Sequence, residues 1–111
     1  PGDDIEIPTT TDTFVVLKTH NLTRDKEWAR RFLATPVPYL GLLGPRGRCE
    51  EIVQEATEHD RKRIFGPVGL DLGAEGPEQV SFSVVSELLA VRSGRSPDHL
   101  KNRGAPIHDP A

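Results

Sequence analysis

Two short apolar runs, Phe14–Leu17 (FVVL) and Tyr39–Leu43 (YLGLL), restrict this chain more than anything else in it. A strand with one wet face alternates apolar and polar residues. A run with no polar side chain at either parity is covered on both faces, the usual condition of a strand in a parallel sheet. Helical periodicity follows each run. Lys18, Thr19, His20 and Asn21 close the first, and Trp28, Ala29, Phe32 and Leu33 then recur at helical spacing, predicting a helix from about Arg24 to Leu33. Asn21 or Thr23 can cap it and Pro36 ends it. The second run passes directly into Gly44-Pro45-Arg46-Gly47-Arg48, and beyond it Cys49, Ile52, Val53 and Ala56 share one helical face.

Residues Ile64–Arg95 repeat the pattern a third time. Ile64 and Phe65 read as a short strand, and Gly66, Gly69, Gly73 and Gly76 with Pro67 make a sharply turning loop. Pro77 opens a long helix, where a missing amide costs nothing, and Glu78 suits its positive end. Val80, Val84, Val85, Leu88, Leu89 and Val91 are spaced to lie mostly on one face of that helix, and Gly94 stops it. The charged stretch Glu58–Lys62 reads as a loop. Alternating strands and helices at these spacings predict an α/β domain, a parallel sheet of about three strands flanked by helices in three layers, α/β/α. Three strands leave two sheet edges to be covered, by a separate half or by a second copy of the chain. Residues 1–12 read as a lead-in, 13–95 as the domain, and 96–111, without period and rich in proline, as a loose tail.

With 111 residues the chain is one domain at most. Its 35% hydrophobic and 28% charged content is that of a globular chain in water, and a net charge of -3 gives no general attraction to nucleic acid or anionic lipid. No apolar run approaches the roughly 20 residues that span a bilayer. The single Cys49 forms no disulfide within the chain, so a cytoplasmic location is the expectation.

Candidates for chemistry are few. The Gly44 turn places backbone amides at a helix start beside Arg46 and Arg48, a sound seat for a phosphate, although such turns also occur with no ligand. His20 stands at the carboxyl end of a strand, where open parallel sheets bind ligands, or it simply closes that strand. Cys49 lies on an apolar helix face and reads as a buried structural thiol; the helix start could lower its pKa. Asp71 and Glu75 could bind a hydroxyl or remain solvated. His59, His99 and His108 match no metal spacing, and neither a GxGxxG fingerprint nor a GxxxxGK[ST] loop is present.

The ordered segments THN (Thr19–Asn21), YLGLLGPRGR (Tyr39–Arg48), PVGLDLGAEGPEQV (Pro67–Val80), SELLAVRSGR (Ser86–Arg95) and GAPIH (Gly104–His108) resemble the XdhC/CoxI family from Phe14 onward. These are accessory proteins that mature xanthine dehydrogenase and carbon monoxide dehydrogenase. The resemblance implies the C-terminal Rossmann-like half of such a domain, without the glycine-rich βαβ half and N-terminal domain that usually precede it. It implies a chaperone and not an enzyme, binding the molybdenum cofactor and handing it to a molybdenum hydroxylase apo-enzyme. Carried over, His20 and Asn21 lie at the strand end, Gly41, Gly44, Arg46 and Arg48 form the phosphate-side loop, and Gly69, Asp71 and Gly73 form the loop opposite. A homodimer, or association with the first half, would complete the sheet. The alternative is an NAD(P)- or nucleotide-binding, oxidoreductase-related domain.

Overall fold

A computed structural model of the chain describes residues 7–108, so the first half of the lead-in and the last three residues lie outside the described residues. The elements run β1 (Phe14–Leu17), α1 (Leu22–Leu33), β2 (Tyr39–Leu42), α2 (Arg46–Gln54), α3 (Glu58–Arg61), β3 (Ile64–Phe65) and α4 (Gly76–Ser93), then a 3-10 turn at Leu100–Asn102. The three strands form one parallel sheet in the order β1-β2-β3. Phe14 is the partner of Tyr39 and Leu17 of Leu42 on one side of β2; Leu40 is the partner of Ile64 on the other. β2 is central and buried along its whole length, which is why its sequence carries no charged residue.

Alternation divides the sheet into two faces. Leu17, Leu40 and Leu42, with Val15 and Ile64 at the margin, face α1 and α2 and join Ala29, Phe32, Val37, Cys49 and Ile52 in the core. On the opposite face Tyr39 stacks between Phe14 and Phe65, at centroid distances of 5.9 and 4.5 Å. The Tyr39 hydroxyl reaches out of that stack to α4, donating to Glu87 Oε1 at 2.7 Å. Burial, reinforced by Glu87, pushes the phenol well above its ordinary range and keeps it a neutral donor.

Local chemistry sets the element ends. Asn21 caps α1 by accepting from the Arg24 amide at 3.0 Å, so the helix starts at Leu22, two residues before the sequence expectation. Gly94 adopts a left-handed conformation and ends α4 as expected. The predicted Glu58–Lys62 loop is corrected: Thr57 accepts from the Asp60 amide at 3.1 Å and opens the single-turn helix α3. Too short to show a period, that turn is held by its cap and by Arg63.

The one-sided reading of α4 also needs correction. Its only buried residue is Ser83, while Val80, Val85 and Leu89 are exposed together with Phe82, at 71%. Apolar residues occur on more than one side of this helix, so spacing alone selected too wide a set. In the region read as a loose tail, the Leu100–Asn102 turn is accompanied by bonds from the Arg95 guanidinium to the Ile107 carbonyl and from Arg103 Nε to the Pro106 carbonyl.

The seam between α1 and α2 carries charge at its rim. Lys26 Nζ lies 2.8 Å and Arg30 3.4 Å from the Glu55 carboxylate. The Lys26 hydrogen bond holds the Glu55 carboxyl below its ordinary value, and the Arg63 hydrogen bond does the same for Asp60. A depressed carboxyl contributes stability that is present above its unfolded pKa and lost as pH falls through its folded value. Thermal unfolding monitored by circular dichroism should therefore weaken below about pH 4. Glu55→Gln should remove part of that acid loss and leave the rest, a small effect because the pair faces solvent.

Candidate functional site at the carboxyl end of the sheet

All three strands point their carboxyl ends the same way, so the segments after β1, β2 and β3 gather along one edge of the domain. The Leu43 amide bonds the Leu17 carbonyl at 3.1 Å and the Val68 amide bonds the Leu42 carbonyl at 3.1 Å, which ties all three segments side by side.

After β2 the backbone turns at Gly44, whose φ of +147° lies where side chains are rarely tolerated. Pro45 is the N-cap of α2 in extended conformation, and no side chain caps the helix. Its first backbone bond is from the Cys49 amide to the Pro45 carbonyl, at 3.1 Å. The amides before Cys49 thus sit at an uncapped helix start with the positive end of the dipole. Arg46 is exposed, and Arg48 folds back so that its Cδ lies 3.8 Å from where a side chain on Gly44 would begin. This donor set suits an oxyanion. Cys49 is buried beneath it with its Sγ 3.7 Å from the Gly44 carbonyl. Burial raises its pKa; the nearby Arg46 and Arg48 charges pull the other way and are outweighed. The lowered pKa considered from the helix start is thereby corrected.

After β1, Thr19 and Asn21 form a tight turn around His20, which is exposed and has φ of +63°. After β3, Gly69 has φ of +101° and its amide donates to Glu87 Oε1 at 2.9 Å, the same oxygen that accepts from Tyr39. Gly73 is left-handed as well. Asp71 lines an open hollow of about 550 Å³ with Leu70, Leu72, Pro97, Asp98 and His99, so it looks toward the C-terminal segment.

Gly41 is placed differently from the expectation. It lies within β2, and a side chain there would meet Val68 Cγ1 at 2.6 Å and Tyr39 Cε1 at 2.7 Å. Its smallness lets the Tyr39 ring lie over the strand, a packing role and not a place in the phosphate-side loop. Two residues escaped the sequence reading. Asp25 is only 3% exposed, with its Oδ1 accepting from the Thr19 hydroxyl at 2.5 Å, and Glu87 clasps the Gly69 loop. Both resemble ordinary helix-surface charges in sequence; the four-residue step from the Asn21 cap to Asp25 is the one local signal. Among the described residues no group of three or more His, Cys, Asp or Glu is arranged to hold a metal ion, and no helix is long and apolar enough to cross a membrane.

Parallel strands, crossover helices and glycine turns gathered at the strand ends define a Rossmann-like domain. Residues 3–88 match the XdhC Rossmann domain, and the chain belongs to that family. It is 34% identical over 77 residues to a Bacillus subtilis protein whose name describes a probable xanthine dehydrogenase subunit, covering 69% of this chain and 23% of that protein. It is 31% identical over 87 residues to the Escherichia coli protein "Uncharacterized protein YqeB", covering 74% and 16%. A crystal structure described as a xanthine dehydrogenase from Bacillus halodurans superposes with a TM-score of 0.67 at 28% identity, over 80% of this chain and 27% of that one. The chain thus spans about a quarter or less of the length of these relatives.

Proposed function

We propose that this domain binds the phosphate-bearing end of the molybdenum cofactor as cargo, within an accessory protein that serves a xanthine dehydrogenase-type molybdoenzyme. The observation that carries the reading is the uncapped start of α2 behind Gly44, flanked by Arg46 and Arg48, in a chain of the XdhC family. A pterin phosphate brings two negative charges or nearly so. Helix-start amides supply fixed donors for its oxygens, and guanidinium groups add charge-assisted bonds. His20 and Asn21 belong to the segment after β1, which runs beside the one that carries Gly44, Arg46 and Arg48. Gly69 lets the third segment lie close against Ser83 of α4. The names of the relatives support the recipient class, xanthine dehydrogenase.

The test is equilibrium binding of the molybdenum cofactor, kept anaerobic, to the 111-residue chain and its variants. Arg46→Ala and Arg48→Ala should each weaken binding about tenfold, and the double variant about a hundredfold, with a smaller salt dependence. Thermal unfolding should change little, since Arg46 is exposed. Unchanged affinity in the double variant would remove the seat from the reading.

A further inference from the structure

The turn after β1 holds a residue in a conformation that its own sequence does not favour. His20 is the only described residue other than glycine with positive φ, at +63°. Such a position is uncomfortable for any residue with a Cβ, and where it persists the surroundings must impose it. Those surroundings are explicit. The Thr19 hydroxyl oxygen accepts from the Asn21 amide at 3.2 Å and lies 3.0 Å from the Asn21 carbonyl, bridging over His20. The same hydroxyl lies 2.5 Å from Asp25 Oδ1. Asp25 is itself anchored, its amide bonding the Asn21 carbonyl at 2.9 Å in the first turn of α1.

Asp25 is also costly to bury. A carboxylate removed from water needs compensation, and among the described residues no cationic side chain pairs with it. The helix dipole of α1 favours a negative charge in this turn, but an exposed carboxylate would obtain that benefit without burial. What burial adds is a rigid grip on Thr19.

We infer that Asp25 is a positioning residue: through Thr19 it clamps His20 in the left-handed conformation, presenting the imidazole at the rim of the Gly44 seat. The presentation half of this inference rests on the cargo reading above; the clamp half stands on the turn alone. Strain kept at the rim of a site, and not relieved by glycine, is the pattern of a residue retained for what its side chain does.

The experiment is a set of thermal unfolding and binding measurements on the whole chain. His20→Gly should raise Tm by roughly 3 °C, because glycine accepts positive φ freely. The same substitution should give that gain in an Asp25→Asn background, where the acceptor for Thr19 remains. It should give none in an Asp25→Ala background, where the turn has already relaxed. If Asp25→Ala does not fold, Thr19→Val breaks the same link and takes its place. An equal gain in every background, or a loss of stability in His20→Gly, overturns the clamp. With the molybdenum cofactor as probe, His20→Gly should bind about tenfold more weakly while unfolding at higher temperature. Unchanged affinity would overturn the presentation of His20. A wild-type chain that binds no cofactor would defeat the cargo reading, and the presentation with it, while the Tm series would still decide the clamp.

Discussion

Arg63→Ala should unfold this domain by roughly 10–15 °C lower in Tm, a loss of about 3 kcal/mol. Arg63 stands just before β3, and its guanidinium reaches across the amino-terminal side of the sheet. One nitrogen donates to the carbonyls of Thr35 and Val37 at 2.8 and 2.9 Å; another donates to the Leu33 carbonyl at 2.7 Å and to Asp60 at 2.6 Å. The three carbonyls belong to the end of α1 and the link into β2, where the helix can no longer satisfy its own acceptors. Truncation leaves those acceptors unpaired and releases α3 through Asp60. Hydrogen bonds to a charged group contribute about 1.5–3 kcal/mol apiece when lost singly, but here they share one side chain and will not add. Arg63→Lys should recover less than half the loss, since one ammonium cannot span the set with a planar fork's geometry. Chemical denaturation followed by tryptophan fluorescence would measure both, with Trp28 on α1 as the reporter. A loss below about 1 kcal/mol for Arg63→Ala would mean that water replaces the clamp.

Gly69→Ala should cost about 2–4 kcal/mol and loosen the third segment of the site. Two separate penalties meet there. The φ of +101° suits no residue with a Cβ, and an added Cβ would stand 2.5 Å from Ser83 Oγ, which is buried and bonded to the Val80 carbonyl at 2.8 Å. Ser83→Ala removes the nearest clash while leaving the dihedral penalty. The double variant should therefore recover part of the loss and no more, and the recovered fraction measures the steric share. Full recovery would show that the backbone conformation at Gly69 adapts without cost. The same substitution disturbs the Gly69 amide that bonds Glu87, so cofactor affinity should fall with stability.

Much of this architecture is legible in sequence for a plain reason. FVVL and YLGLL have no charged residue and no polar alternation, the mark of strands in a parallel sheet, yet only the central β2 is covered on both faces, for Val16 of the edge strand β1 is 40% exposed. Pro77 and Gly94 mark the ends of α4 through chemistry local to each residue. The missed features depend on distant partners. Arg63 and Asp60 look like solvated charge until the end of α1 arrives beside them, and α3 exists largely because it does. Asp25 and Glu87 look like helix-surface acids, yet each is aimed at a loop of the site. Gly41 lies in a glycine-bearing motif beside Gly44, but the two meet different needs: one yields room to an aromatic ring, the other turns the chain. Sequence proximity does not separate them; the faces of β2 do.

The central place of β2 carries a kinetic consequence. Each of its neighbours comes from a different crossover, with Phe14 reaching Tyr39 on one edge and Ile64 reaching Leu40 on the other. No tight hairpin can seed this sheet, because both pairings must first close a loop that contains a helix. Loop entropy is lost before the contacts that offset it have formed, so the rate-limiting ensemble must gather β2 with at least one flanking strand and the helix between them. On a ribosome the β1–α1 unit is made before β2, the strand against which it pairs. Until Tyr39–Leu42 follows, β1 lacks the partner it has in the folded sheet, and its apolar residues are open to wrong contacts in that interval.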